Sequence, residues 1–139
     1  MFKSTRFYSP SKGRMSFDEV IGEIVAIMQE DPDTEYALVV GTDSHSNSGP
    51  AEFDFVTAVI IHKLGKGGRY FWKRTREKHI HSLRQKIYKE ATLSFELARA
   101  VMDELERRTP LDCNLEIHVD VGEHGKTREI IDEVVGYIR

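Results

Sequence analysis

Two short apolar runs that each carry an aspartate near their end constrain the fold of this chain more than any other feature. The first run covers residues 36–44 and contains Asp43, and the second covers residues 115–122 and contains Asp120. Short runs rich in β-branched residues are typical of strands. If the two strands are neighbours in one sheet, their carboxylates converge and repel each other unless a cation or a proton lies between them. The runs therefore indicate either a Mg²⁺ or Mn²⁺ site suited to phosphodiester chemistry, or two ordinary turns that begin with aspartate.

Hydrophobic periodicity and turn residues predict a mixed α/β fold with the element order α-β-β-β-α-β-α. Ser16 and Glu19 have the spacing of a capping box and start the first helix. We expect helices over residues 17–29, 82–108 and 127–138 and strands over residues 36–42, 53–63, 69–76 and 115–120. Residues 1–15 are interpreted as an N-terminal arm or loop. A helix that joins two strands of one sheet implies a parallel pair.

Length and composition indicate one globular domain over residues 1–139, with 40% hydrophobic and 31% charged residues. No apolar stretch is long enough to span a bilayer, and the first residues lack the apolar segment of a secretory signal. We therefore expect a cytoplasmic protein with no membrane partner. Cys113 is the only cysteine, which excludes an internal disulfide and a cysteine-based zinc site.

Charge is distributed unevenly along the chain. The formal net charge is −3, yet the segment from His62 to Lys89 carries ten basic residues against one acidic residue. Such an asymmetry predicts a basic surface that faces an anionic partner, here nucleic acid. The residues expected to contact its backbone are Lys63, Lys66, Arg69, Lys73, Arg74 and Arg76.

Tyr70, Phe71 and Trp72 interrupt this basic segment, and their rings suit stacking on bases. The alternative interpretation is a solvated basic hairpin whose aromatic residues alternate between the core and the surface. The exposed hairpin could equally be the edge at which two copies of the chain pair as a homodimer.

The long predicted helix contributes a third acid. On a helical wheel with Ile87 at zero, Glu90 falls at about −60°, inside the apolar face, whereas Glu96 falls at about 180° and faces solvent. An ionised glutamate on a buried stripe is costly unless it is paired or binds a metal. Glu90 is therefore a candidate ligand, and a partly buried salt bridge to the basic hairpin is the alternative.

Three strands, a helix that bears a glutamate, a fourth strand that ends in aspartate and a further helix resemble the ribonuclease H-like fold. The strings at residues 9–17, 41–44, 118–122 and 125–127 look like those of the YkuK-like family, an uncharacterised bacterial family with that fold. The resemblance implies that Asp43, Glu90 and Asp120 are the catalytic carboxylates and hold Mg²⁺ or Mn²⁺. It thus implies a metal-dependent nuclease, a hydrolase that acts on nucleic acid.

The sequence also departs from this resemblance. Ribonuclease H-like domains usually continue with a fifth strand and a helix that carries a fourth acid, whereas this sequence ends at Arg139, on the helix before them. We therefore expect a core that lacks the last strand and helix. The departure motivates a second hypothesis, a non-catalytic nucleic-acid-binding or scaffolding module. A third hypothesis is a metal-dependent hydrolase of a small phosphate ester.

Residues 122–127 contain glycines and a lysine but lack the first glycine of a Walker nucleotide-binding pattern. The segment lies between a predicted strand and a predicted helix. Gly125 and Lys126 are therefore candidates to hold one phosphate at the helix N-terminus. The alternative is an ordinary loop in which Thr127 caps the helix.

Two histidines are candidates to support the carboxylates. His118 precedes Asp120 by two residues on one strand face, and His45 follows Asp43 by two residues. Either imidazole could orient a carboxylate or shuttle a proton. Zinc requires three or four converging ligands, and the six histidines of the chain do not predict such a group.

Overall fold

The computed structural model describes residues 2–47, 49 and 51–119. Asp120, Gly125, Lys126 and the helix expected over residues 127–138 lie outside this range. The elements in chain order are β1 (Arg6–Ser9), β2 (Gly13–Ser16), α1 (Phe17–Glu30), β3 (Tyr36–Ser46), β4 (Phe53–Lys63), β5 (Gly67–Glu77), α2 (Leu83–Arg108) and β6 (Asn114–His118). The mixed α/β class predicted from the sequence is confirmed.

The strands form one sheet with the spatial order β2-β1-β5-β4-β3-β6. Neighbouring strands are antiparallel except β3 and β6, which run parallel with Gly41 opposite His118. The strands joined by the long helix, β5 and β6, run in the same direction as expected, although β6 forms its parallel pair with β3. The chain reaches it through α2, the helix that crosses from β5 to β6.

Residues 6–16 form a β-hairpin, so the interpretation of this segment as an arm or loop is wrong. Each hairpin strand has four residues, too few for a strong hydrophobic pattern of their own. The hairpin is held by tertiary contacts, because Phe7 is completely buried and Tyr8 lies opposite Trp72 of β5. Gly13 adopts a φ of +69°, a conformation that glycine takes without steric cost, at the start of β2.

The capping box predicted at the start of α1 is confirmed. The Ser16 hydroxyl accepts a hydrogen bond from the Glu19 N–H at 3.1 Å, and the Glu19 carboxylate accepts one from the Ser16 N–H at 3.0 Å. The apolar side of the helix buries Val20, Ile21, Ile24 and Met28. Ile27 on the same helix is only partly buried.

Both described helices cover the same face of the sheet. The core on this helix-covered face contains strand and helix residues, among them Phe7, Leu38, Val59, Phe71 and Leu97. Because side chains alternate along a strand, Leu38, Val40, Thr42 and Ser44 point to the helix-covered face and Val39, Gly41 and Asp43 point to the opposite face. Neither described helix combines the length and apolar character that crossing a membrane requires.

Candidate functional site

Asp43 lies inside strand β3, which continues to Ser46 rather than ending at residue 42 as expected. It pairs with Val56 of β4, so a turn that begins with aspartate is the wrong interpretation for Asp43. Its side chain is 78% exposed, with one carboxylate oxygen 3.5 Å from His45 Nε2. The other oxygen accepts a hydrogen bond from the Ser44 N–H at 2.9 Å. Asp43 is therefore an accessible carboxylate held next to an imidazole.

Glu90 lies on α2 and is only 8% exposed, as the helical wheel predicts. The Ser44 hydroxyl donates a hydrogen bond to Glu90 Oε2 at 3.3 Å. Because Ser44 and Asp43 are consecutive strand residues, their side chains point to opposite faces of the sheet. The structure thus places Glu90 at the same end of β3 as Asp43, but on the helix-covered face.

A hydroxyl network ties β3 and β4 to the same helix. Thr42 Oγ1 lies 2.7 Å from Ser94 Oγ and donates to Thr57 Oγ1 at 3.1 Å. Ser94 and Thr57 are fully or almost fully buried. Sequence analysis missed these residues, although Ser94 follows Glu90 by one helical turn and lies on the same apolar stripe. The network fixes how α2 sits over the end of β3.

β6 ends at His118 and brings that residue opposite Gly41, on the face that also carries Asp43. His118 is exposed, and its Nε2 lies 3.4 Å from Glu116 Oε1. Asp120, the second predicted carboxylate, lies outside the described residues. His45 and His118 are therefore both on the same face as Asp43, and His45 is the one in contact with it.

The fit of these residues to a divalent cation is partial. Mg²⁺ and Mn²⁺ favour carboxylate and other oxygen ligands, and the exposed Asp43 carboxylate is such a ligand. Within residues 2–119 no three histidine, cysteine or acidic side chains converge on one point. Asp43 and His45 form a pair on one face, while Glu90 lies on the other. A complete site on the Asp43 face would need a further donor from outside the described residues.

Three of the six predicted nucleic-acid contacts are engaged in ion pairs. Lys63 Nζ lies 2.7 Å from Asp31, Arg69 pairs with Glu23, and Arg76 Nε lies 3.2 Å from Asp54. The Asp31 carboxylate raises the pKa of Lys63. Lys66 and Arg74 are exposed and have no ion pair with any described residue.

Lys73 is only 5% exposed, so the structure does not place it on the basic surface predicted for nucleic acid. Its position in β5 directs it to the helix-covered face, like Phe71 two residues earlier. Lys73 Nζ donates to Thr75 Oγ1 at 3.2 Å and lies 5.5 Å from the centre of the Phe2 ring. Burial lowers the pKa of Lys73 because it disfavours the charged form.

The aromatic residues of β5 alternate between the two faces. Phe71 is completely buried, Tyr70 is 46% exposed and Trp72 is partly buried against Tyr8. The alternation considered as the plainer interpretation is thus confirmed. It still leaves Tyr70 and Trp72 on the face that carries Asp43.

Comparison with known proteins gives two matches. A family profile described as Ribonuclease H-like matches residues 19–139. A relative described as the uncharacterized protein YkuK, from Bacillus subtilis (strain 168), is 36% identical over 149 aligned positions, which cover 99% of this chain and 86% of the relative. No solved structure matches the chain.

Proposed function

This chain belongs to the ribonuclease H-like family, in the branch represented by YkuK, and from that premise we propose that it is a metal-dependent nuclease centred on Asp43. The family assignment predicted from the sequence is confirmed, and it indicates a function related to nucleic acid. The reaction and its metal go beyond the family assignment and are argued from the residues around Asp43.

The register of the parallel pair carries this proposal. Gly41 lies opposite His118, and Asp43 and Asp120 each follow these residues by two positions in the sequence. Two positions along β3 return to the same face, so Asp43 lies on the face of Gly41 and His118, while Asp120 is close to His118 in the sequence. We therefore propose that Asp43 and Asp120 are the two carboxylates that would hold Mg²⁺ or Mn²⁺. Such an ion would activate a water molecule and stabilise charge on the phosphorus.

The surrounding residues have supporting roles in this proposal. His45, 3.5 Å from Asp43, orients the carboxylate and can accept a proton at its imidazole. Glu90 acts through Ser44 as a positioning residue, because it fixes the strand end from the helix-covered face. The 78% exposure of the Asp43 side chain leaves its carboxylate open to a large substrate.

Several sequence expectations remain predictions within this proposal. Gly125 and Lys126 are expected to hold one phosphate, and Lys66 and Arg74 are exposed cations available to the nucleic-acid backbone. The cytoplasmic location and the homodimer also stay predictions.

Cleavage of labelled single-stranded, duplex and hybrid oligonucleotides in Mn²⁺ tests the proposed function. The wild type should cleave at least one substrate, and Asp43→Asn should lose cleavage while it keeps its fold by circular dichroism. Asp33→Asn makes the same chemical change at an exposed position in the turn between α1 and β3, so it should cleave like the wild type. Undiminished cleavage by Asp43→Asn would overturn the proposal.

A second candidate function is a nucleic-acid-binding module without a reaction of its own. The placement of Asp43 and Glu90 on opposite faces of the sheet favours it, because two of the three expected carboxylates then cannot share one ion directly. This candidate predicts binding by the wild type without cleavage in Mg²⁺ or Mn²⁺. Asp43→Asn would then bind as well as the wild type.

A further inference from the structure

One row of residues crosses five strands on the face opposite the helices. Its members are direct neighbours in the sheet register, in the order Tyr8, Trp72, Ala58, Gly41 and His118. The row changes from two aromatic residues to two residues with minimal side chains and then to an imidazole. In the part of the chain that the structure describes, both helices pack on the other face.

The aromatic pair leaves one side of the Trp72 indole facing small residues. The Tyr8 and Trp72 rings stack with centroids 4.7 Å apart and planes inclined by 28°. Side chains stand roughly perpendicular to a sheet, so Tyr8 covers one side of the indole and the other side faces β4. On that side the next residue in the row is Ala58, about 4.8 Å away by strand spacing, and Gly41 follows one strand spacing further on. The result is a slot with an aromatic wall.

Three arginines lie at the aromatic end of this slot. Arg14 lies opposite Tyr8, Arg6 precedes Tyr8 by two residues, and Arg74 follows Trp72 by two residues, so all three share the face of the row. All three are exposed, and no salt bridge joins any of them to another described residue. Arginines that have no acidic partner among the described residues and flank an aromatic surface suit the phosphates next to a stacked base.

The slot leads toward the proposed reaction site. Gly41 forms its floor, and Asp43 follows Gly41 by two residues on the same face of β3. A Cβ atom at Gly41 would lie 3.3 Å from the His118 carbonyl oxygen, so β3 and β6 leave little room for a larger residue at this position. A strand that lies in the slot would therefore pass close to the Asp43 carboxylate.

We propose that this row binds single-stranded nucleic acid, with a base stacked on Trp72 above Ala58 and Gly41 and with phosphates on Arg6, Arg14 and Arg74. The inference rests on the proposed function and names its substrate class. A duplex keeps its base faces stacked internally and cannot fill the slot, whereas an unpaired base can. A second copy of the chain fits less well, because two identical faces would bring these three arginines toward their counterparts.

The fluorescence of Trp72 reports on the slot directly, since it is the only tryptophan of the chain. The protein is titrated in EDTA, which prevents metal-dependent cleavage, with an oligonucleotide of mixed sequence and with the same sequence as a duplex. The single strand should quench Trp72 saturably and bind about 10-fold or more tightly than the duplex. Binding of the single strand without any change in Trp72 fluorescence would overturn the inference.

Ala58→Leu fills the slot and leaves Trp72 in place. It should abolish quenching and weaken binding measured by fluorescence anisotropy about 10-fold. Ala37→Leu makes the same change on the same face of the sheet, in a row that contains His62 and Asn114, and should bind like the wild type. Equal binding by the two leucine variants would contradict the proposed slot.

The outcomes separate this inference from the proposed nuclease. Quenching and slot-dependent binding without cleavage in Mn²⁺ would support the binding site and overturn the nuclease. Cleavage that Ala58→Leu leaves unchanged, with no preference for single strands, would support the nuclease and overturn the slot. A wild type that sediments as a dimer in EDTA, while Ala58→Leu sediments as a monomer, would show that a second copy occupies this face and would also overturn the slot.

Discussion

The Ser44 hydroxyl donates a hydrogen bond to the Glu90 carboxylate at 3.3 Å, across the interface between β3 and α2. Glu90 is 8% exposed, so this bond helps to offset the cost of removing a carboxylate from water. Ser44 is the neighbour of Asp43 on β3, and the side chains of consecutive strand residues point to opposite faces of the sheet. Glu90, which accepts the bond from Ser44, therefore lies on the other face from Asp43. The end of β3 therefore has one acid on each side of the sheet: Glu90 on the helix-covered face and Asp43 on the opposite face.

Ser44→Ala should destabilise the protein by about 1 kcal/mol, because it removes a hydrogen bond to a buried carboxylate. Unfolding in urea measures the loss. Ser46→Ala is the matched control, since Ser46 lies on the same strand, is exposed and makes no side-chain hydrogen bond to a described residue. The same loss in both variants would show that the contact with Glu90 does not stabilise the fold.

Thr42→Val should cost more, about 1–3 kcal/mol, because it leaves two buried hydroxyls without their shared partner. Those hydroxyls belong to Ser94 and Thr57. Valine keeps the shape of threonine, so the change in urea midpoint reports mainly the lost hydrogen bonds. Thr92→Val on α2 is the control, since no side-chain hydrogen bond joins Thr92 to the described residues, and a smaller loss is expected there.

Lys73→Met should stabilise the protein at pH 7, because burial makes the charged amine unfavourable in the folded state. The pKa of Lys73 is lowered on folding, so between that pKa and the ordinary lysine value of 10.5 the unfolded chain binds more protons. The stability of the wild type therefore rises with pH across this window, relative to the variant. The gain from Lys73→Met should be larger at pH 7 than at pH 10 in thermal unfolding.

Lys66→Met is the control for that experiment, because Lys66 is exposed in the turn before β5. It should change the melting temperature little at either pH. A pH-independent gain from Lys73→Met would indicate that apolar packing, rather than the lowered pKa, is responsible.

Binding of a single strand should weaken with salt according to the number of phosphates held. Three arginine contacts predict a slope of about −2 for log K against log [salt], since each contact to a single strand contributes about −0.7. Arg74→Ala should reduce the slope by about 0.7. Arg99→Ala, at an exposed position on α2, should leave it unchanged. Equal slopes in the two variants would exclude Arg74 from the contact surface.

Local signals predict the two described helices well. Ser16 and Glu19 are three residues apart and satisfy each other, so the start of α1 depends on no distant contact. Polar residues 44–46 are typical of a turn, so the sequence predicts an end of β3 at residue 42, four residues too early. They remain in the strand since each pairs with a residue of β4, up to Ser46 opposite Phe53.

The features that the sequence does not predict correctly depend mostly on contacts between segments far apart in the chain. β1 and β2 are too short to be recognised from their own sequence, and β1 joins the main sheet only through its pairing with β5. The charge of Lys73 predicts a position on the surface, whereas its spacing from the buried Phe71 places both residues on one strand face. Glu90 was correctly predicted to be buried, but the face of β3 that α2 covers is set by packing around Ser94 and Thr42.

The contact between Tyr8 and Trp72 also restricts the order in which the molecule can fold. β1 is synthesised long before β5. Bringing the two strands together costs the conformational entropy of the intervening chain before their contacts can stabilise the pair. The first hairpin therefore has no strand of the main sheet to pair with until β5 has been made. Since the only tryptophan lies in this contact, a rapid-mixing experiment that follows its emission would time the arrival of the hairpin at the sheet.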